Sequence, residues 1–356
     1  MYACLSAVRP PTSGVFAVAS AVVVVAVLTG GCSGDADGGT ATRTCADAMP
    51  VAADHLRIVT TVAPITNIVS VIAAGTGARV EGIVPEGADS HTYEPTARVA
   101  ASLERADVVF LNGLELEAPT KRLALANAPT AVVCELGDEV LDERDYIFDF
   151  SYPESAGSPN PHLWTSPPFA RSYAGVVRDV LAAADPEHVD IYRANYAEFA
   201  SRVDELDRAV RAAGGTIPRG DRLLLTYHDA YAYFAREYDW TVVGAVQPSS
   251  FDEPTPREVA ALIQQVRDRR VGAIFGSEVF PSPVLRQLAA EAGVDYVDDL
   301  RDDDLPGEPG DVGHSWLGLM QFNIVTIVEA LGGDVGAVTA IDVSSSTPDE
   351  ATYAQE

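Results

Sequence analysis

From Leu56 onward the chain repeats one pattern twice, and this pattern decides the fold class. A short apolar run is followed by an amphipathic stretch of helical period, again and again. In the first pass, Arg57–Val62, Arg79–Val84, Asp107–Leu111 and Thr130–Leu136 read as strands, and Ile65–Ala74, Thr96–Ala106 and Pro119–Ala126 as helices. The alternation resumes after Gly214-Gly215, with strands at 223–226, 241–243, 271–275 and 294–300 and helices at 230–238, 256–269, 282–292 and 315–331. Strands that alternate with helices predict a parallel sheet covered on both faces. The expected fold is therefore α/β, with two lobes that are each a mainly parallel sheet flanked by helices. Between the passes lie two helical stretches, Pro168–Ala184 and Pro186–Ala213. Asp185 is placed to cap the second and Pro186 to open it. Its apolar residues Val189, Tyr192, Tyr196, Phe199, Val203 and Leu206 follow helical spacing. A helix of roughly 28 residues reaches about 42 Å, long enough to join two lobes as a rigid rod.

The N-terminus reads as a targeting segment. Arg9 precedes an uncharged run from Phe16 to Leu28, too short to span a bilayer comfortably but of signal-peptide length. Small residues then lead to Cys32 in Leu28-Thr29-Gly30-Gly31-Cys32, which resembles a bacterial lipobox with Thr29 in the usual aliphatic place. Removal of 1–31 and lipidation of Cys32 is the expectation. Ordinary cleaved secretion and a retained anchor are the alternatives. The segments that follow are a linker to 54, a first lobe over 55–167, connecting helices over 168–215, a second lobe over 216–337 and a tail over 338–356 that should fray.

Charge narrows the partners. The chain has 52 acids against 24 bases, net −28, and Lys121 is its one lysine. A nucleic-acid role is excluded by repulsion from phosphate, whereas cations suit such a surface. The segment 137–154 holds seven acids and one arginine and reads as a mobile loop. With Cys32 modified, Cys45 and Cys134 remain, and an extracytoplasmic location favours a disulfide between them over two free thiols.

Metal-binding side chains are scattered. His91 lies in a loop after a strand, His162 in Asn160-Pro161-His162-Leu163-Trp164, and His228 at the carboxyl end of a strand. Asp298 and Asp299 fall at the end of another expected strand. The intervals of 71, 66 and 70 residues match no local metal motif. Spacing alone favours reading each histidine as a loop or hydrogen-bonding residue over a ligand.

Several ordered motifs carry a resemblance. Pro64-Ile65, His91-Thr92-Tyr93-Glu94-Pro95-Thr96, Leu111-Asn112-Gly113-Leu114-Glu115, Pro161-His162-Leu163-Trp164, His228-Asp229-Ala230-Tyr231-Ala232-Tyr233-Phe234, Glu253-Pro254-Thr255-Pro256 and Leu319-Met320-Gln321-Phe322-Asn323 are all present. Together they resemble the metal-binding lipoproteins of zinc and manganese ABC importers, the cluster A-I solute-binding proteins, over Leu56 to Gly333. The resemblance implies a metal site in the inter-lobe cleft with His91, His162, His228 and Asp298 as ligands, and Asp299 as the alternate to Asp298. Glu94 and Asp229 are candidates to hold those ligands in place. It also implies extracytoplasmic capture of a divalent metal by a monomer lipid-anchored to the cell membrane. Delivery would be to a permease driven by a cytoplasmic ATPase. Three imidazoles favour Zn²⁺, with Mn²⁺ or iron as the alternative cargo. With ordinary imidazole pKa values near 6.5, binding should fail below about pH 6. Other members' histidine-rich loop is acidic here. No His-Glu-x-x-His, Gly-x-Ser-x-Gly or Walker motif occurs, which argues against an enzyme. An adhesin is the remaining competing class.

Overall fold

The computed structural model describes residues 43–247, 254–277, 283–344 and 351–353. The expected leader, the Cys32 anchor, Glu253 and most of the segment beyond Ser344 lie outside the described residues.

The first pass forms β1 (Arg57–Thr60), α1 (Ala63–Ala73), β2 (Arg79–Gly82), α2 (Ala97–Arg105), β3 (Val108–Leu111), α3 (Ala118–Asn127), β4 (Val132–Glu135) and a short α4 (Leu136–Val140). Two long helices follow, α5 (Pro167–Ala184) and α6 (Val189–Gly215). The second pass forms β5 (Leu223–Thr226), α7 (Ala232–Tyr238), β6 (Thr241–Ala245), α8 (Pro256–Arg269), β7 (Ala273–Ser277), α9 (Pro283–Ala292), β8 (Asp295–Leu300) and α10 (Trp316–Ala330). A last turn, α11 (Gly336–Thr339), precedes β9 (Thr352–Tyr353). The sheets run β4-β3-β1-β2-β9 and β6-β5-β7-β8, with every described pairing parallel. Two parallel α/β lobes joined by a long helix were the expectation, and this is the architecture found.

Strand alternation explains why the second sheet is apolar on both faces. Successive side chains point to opposite faces. Leu223 and Leu225 of β5 and Ile274 of β7 enter a core under α8 and α9. Leu224, Ala273 and Phe275 face the other way, into a core continuous with the first lobe. That larger core also holds Ile65 and Ile68 of α1, Tyr173 and Val177 of α5, Phe199 and Val203 of α6, and Ile324 and Ile327 of α10. The connecting helices are thus built into the hydrophobic core that links the lobes.

Two expectations are corrected. The tail does not simply fray, because Thr352 and Tyr353 pair with Glu81 and Gly82 and extend the first sheet. The acidic loop is not a free excursion either. The Tyr233 hydroxyl contacts the amide of Ile147 (3.3 Å), Arg236 bonds the Asp145 carbonyl (2.8 Å), and Tyr152 is buried. Its aromatic residues give it apolar surface to bury, which outweighs the pull of its acids toward water.

Cys45 and Cys134 form a disulfide, so the N-terminal segment is stapled to β4. Arg43 also bridges to Val132 at the same sheet edge. Closing a separation of 89 residues contributes about 4.6 kcal/mol by the chain-entropy argument. Reduction, or Cys134→Ser, is expected to lower the melting temperature by several degrees. An unchanged melting curve with and without reductant would refute a stabilising bridge.

Candidate metal centre

The carboxyl edges of the two sheets face one another, and the histidines sit just beyond them. His91 follows β2 in a turn fixed by Asp89, whose carboxylate accepts from the His91 amide (2.9 Å) and the Thr92 hydroxyl (2.7 Å). His162 precedes α5 and is fully buried. His228 lies two residues past the last residue of β5 and is also buried. One ring nitrogen from each of the three lies within 4.8 Å of the other two. His91 Nε2 is 3.1 Å from His162 Nε2, which is 3.3 Å from His228 Nε2.

The acid that joins them is not Asp298. Strand β8 runs on to Leu300, which pairs with Ser277, so Asp298 lies inside the strand. Its half-exposed side chain meets Arg286 at 3.4 Å. Asp299 is likewise turned to Arg301 (3.3 Å). The carboxylate at the histidines belongs to Asp302, two residues past the end of β8. Its Oδ2 is 2.8 Å from His228 Nε2 and 3.8 Å from His162 Nε2. Both second-lobe groups therefore stand at the same offset from their strands.

Neighbouring side chains set which ring nitrogen faces the centre. Asn160 Nδ2 donates to Asp149 (2.8 Å) and to the Asp229 carbonyl (2.6 Å). Its Oδ1 is then the acceptor for the His162 amide and for His162 Nδ1, both at 3.0 Å. His162 carries its proton on Nδ1, and the Nε2 lone pair points at His91 and His228. Sequence reasoning passed over Asn160, although it stands two residues before His162 in a quoted segment. Asn112 serves the same wall: its amide bonds the Pro161 carbonyl (3.0 Å) and accepts from Tyr173 (2.7 Å). Tyr152, from the acidic loop, sets its hydroxyl 3.0 Å from His91 Nε2. A cavity of about 170 Å³ opens beside this pair, lined in part by Glu115, Tyr152 and Pro161.

Asp229 does not orient His228. Its carboxylate accepts from the Tyr231 amide (3.0 Å), and its own amide donates to Ser151 (3.1 Å). Burial, and then the charge of Asp149, push its carboxyl up to about 7. Glu94 is exposed, and Thr96 caps α2 in its stead, its hydroxyl accepting from Val99. His314 is buried beside Glu86 (3.5 Å), and His188 pairs with Asp185 (2.7 Å).

The ring pKa values diverge. Burial, helped by neighbouring imidazoles, holds His91 and His162 well below the ordinary value. Burial also pulls His228 down, but the charge and hydrogen bond of Asp302 outweigh it and push the ring up to about 9. Two neutral nitrogen donors, an imidazolium and its carboxylate partner thus share one small volume. A cation that displaced the single proton would find three nitrogens and an oxygen.

Residues 58–330 match the family described as zinc-uptake complex component A, periplasmic. The iron-binding protein YfeA of Yersinia pestis is 29% identical over 282 residues, covering 79% of this chain and 88% of its own. The manganese-binding lipoprotein MntA of Halalkalibacterium halodurans is 27% identical over 314 residues, covering 87% of this chain and 96% of its own. Among solved structures, the periplasmic zinc-binding protein TroA of Treponema pallidum superposes with a TM-score of 0.70 at 25% identity. That match covers 78% of this chain and 99% of TroA.

Proposed function

This chain belongs to the family of periplasmic zinc-uptake complex A components, and on that premise we propose that it captures Zn²⁺ through His91, His162, His228 and Asp302. As a member it is a metal-binding component of an ABC importer and not an enzyme. The observation that carries the cargo assignment is the spacing of the four donor atoms. Zinc–nitrogen bonds of about 2.0–2.1 Å in a tetrahedron place donors about 3.3 Å apart. Four of the separations among these donors, 2.8, 3.1, 3.3 and 3.8 Å, bracket that edge. Three imidazoles and one carboxylate are a nitrogen-rich set that suits Zn²⁺ better than Mn²⁺, which prefers oxygen.

Manganese is the second reading, favoured by the relative named for it. Competition between Zn²⁺ and Mn²⁺ on the purified protein decides the matter. Preference for Zn²⁺ supports the assignment; equal or stronger retention of Mn²⁺ overturns it. His228→Asp, which trades a nitrogen for an anionic oxygen, should move the preference towards Mn²⁺.

The carboxylate assignment has its own test. Asp302→Ala should lower Zn²⁺ affinity about a hundredfold, by the loss of one charged donor. Asp298→Ala should stay within about threefold of the parent, since an exposed pair with Arg286 contributes little. The reverse result would return the ligand role to Asp298.

The delivery partners follow from the importer class: a membrane permease and its cytoplasmic ATPase. Anchoring through a lipidated Cys32 fits the relatives named as lipoproteins, and would hold the protein at the outer face of the cell membrane. Mass spectrometry of membrane-extracted protein tests this; a mature form with an unmodified Cys32 would contradict it.

A further inference from the structure

We infer that Trp164 is the positioning residue for the second lobe's carboxylate, holding Asp302 ready before an ion arrives. Trp164 is fully buried two residues after His162, in the turn that leads into α5. Its indole Nε1 donates to the backbone carbonyl of Asp302 at 2.7 Å. Its own carbonyl accepts from the indole of Trp316 at 2.9 Å, and the Trp316 amide donates to Asn67 at 2.9 Å. Trp164 is therefore held by the start of α10 and, through it, by α1. Its ring also lies 5.0 Å from the ring of His162.

Asp302 needs such support because the chain has left β8 and forms no regular structure there. The following residues are fastened by side-chain bonds: Asp303 to Ser90 (2.9 and 3.0 Å) and Asp304 to the Gly87 amide (2.8 Å). Trp164 instead bonds the peptide of Asp302 itself. Pinning the carbonyl limits the backbone rotation that would swing the carboxylate away from His228. One first-lobe side chain thus governs ligands from both lobes, His162 through the chain and Asp302 through a hydrogen bond. Less ordering is then left for the ion to enforce, and that saving appears as affinity.

This inference rests on Asp302 being a ligand, and the test separates the two claims. In the full chain, Trp164 is replaced site-specifically by benzothienylalanine, which keeps the ring shape but puts sulfur where the N–H was. Zn²⁺ affinity is measured by chelator competition, and the Co²⁺ form by visible absorption. A loss of at least about tenfold is expected, in the range for groups that orient metal ligands. The Co²⁺ spectrum should move towards that of Asp302→Ala. In the Asp302→Ala background the same replacement should add less than about threefold, because both changes remove one effect. Replacing Trp240, whose indole nitrogen has no hydrogen bond among the described residues, should change neither readout. Trp164→Phe with a parallel melting curve provides a second variant. Unchanged affinity, or losses that multiply across the cycle, overturns the positioning role. Parent-like binding by Asp302→Ala overturns the ligand reading, and this inference with it.

Discussion

Replacing His162 by alanine is expected to lower Zn²⁺ affinity about a thousandfold, more than loss of Asp302. His162 is the middle donor: its Nε2 stands 3.1 Å from His91, 3.3 Å from His228 and 3.8 Å from Asp302. A tight four-ligand zinc site is worth about 10–16 kcal/mol, so one ligand carries about 3–4 kcal/mol, or two to three powers of ten. The upper end applies here because the ring is fully buried. Water that enters the gap must stand in for a ring nitrogen, and Asn160 Oδ1 keeps the amide of residue 162 but loses its ring partner. His188→Ala, on a histidine paired with Asp185 at the start of α6, should leave affinity unchanged. Chelator competition on both variants decides it. Parent-like affinity in His162→Ala would refute the assignment.

Zinc binding is expected to release one proton at pH 7.5, with affinity rising tenfold per pH unit between about 6.5 and 9. The sign follows from His228. Its ring is pushed up to about 9, so at neutral pH it carries a proton that the ion must displace. His91 and His162 are held well below 6.5, so they are neutral over this range and release nothing. Above about 9 the dependence should flatten. This differs from the expectation based on ordinary imidazoles, in which affinity would fail only below about pH 6. The reason is Asp302, whose carboxylate turns one of three histidines into a cation. The same pair stabilises the metal-free fold fully below the unfolded value of about 6.5, and the contribution is lost as pH rises through about 9. Titration calorimetry in buffers of different ionisation enthalpy counts the proton. Zero protons released at pH 7.5 would contradict the account.

Much of the fold was legible because periodicity is a local property. Strands such as Leu223–Thr226 and helices such as Pro256–Arg269 declare themselves over a few turns. The site was legible only in part. Nothing local unites His91, His162 and His228, because the sheets bring them together across the fold; family likeness suggested their grouping. The acid that the resemblance implied, Asp298, stands apart from the histidines beside Arg286, and the carboxylate next to them is that of Asp302, four residues on. An Asp-Asp-Asp run after a strand reads as a solvated loop, yet Asp302 and Asp303 are both buried. One signal was present: His228 lies two residues past Thr226, and Asp302 lies two past Leu300. Counting the same two residues past Leu300, where the strand was already expected to end, leads to Asp302. Tyr152 was hidden for a similar reason. Acids dominate the composition of its loop, while Tyr146, Ile147 and Tyr152 supply the apolar surface that packs it down.

X-ray absorption at the zinc edge, on the Zn²⁺-loaded parent and on Asp302→Ala, tests the central claim most directly. The parent should show three imidazole nitrogens and one oxygen at about 2.0–2.1 Å and no sulfur. Asp302→Ala should keep the three imidazoles, with water replacing the carboxylate oxygen. A parent spectrum with fewer than three imidazoles, or one indifferent to the loss of Asp302, would contradict it.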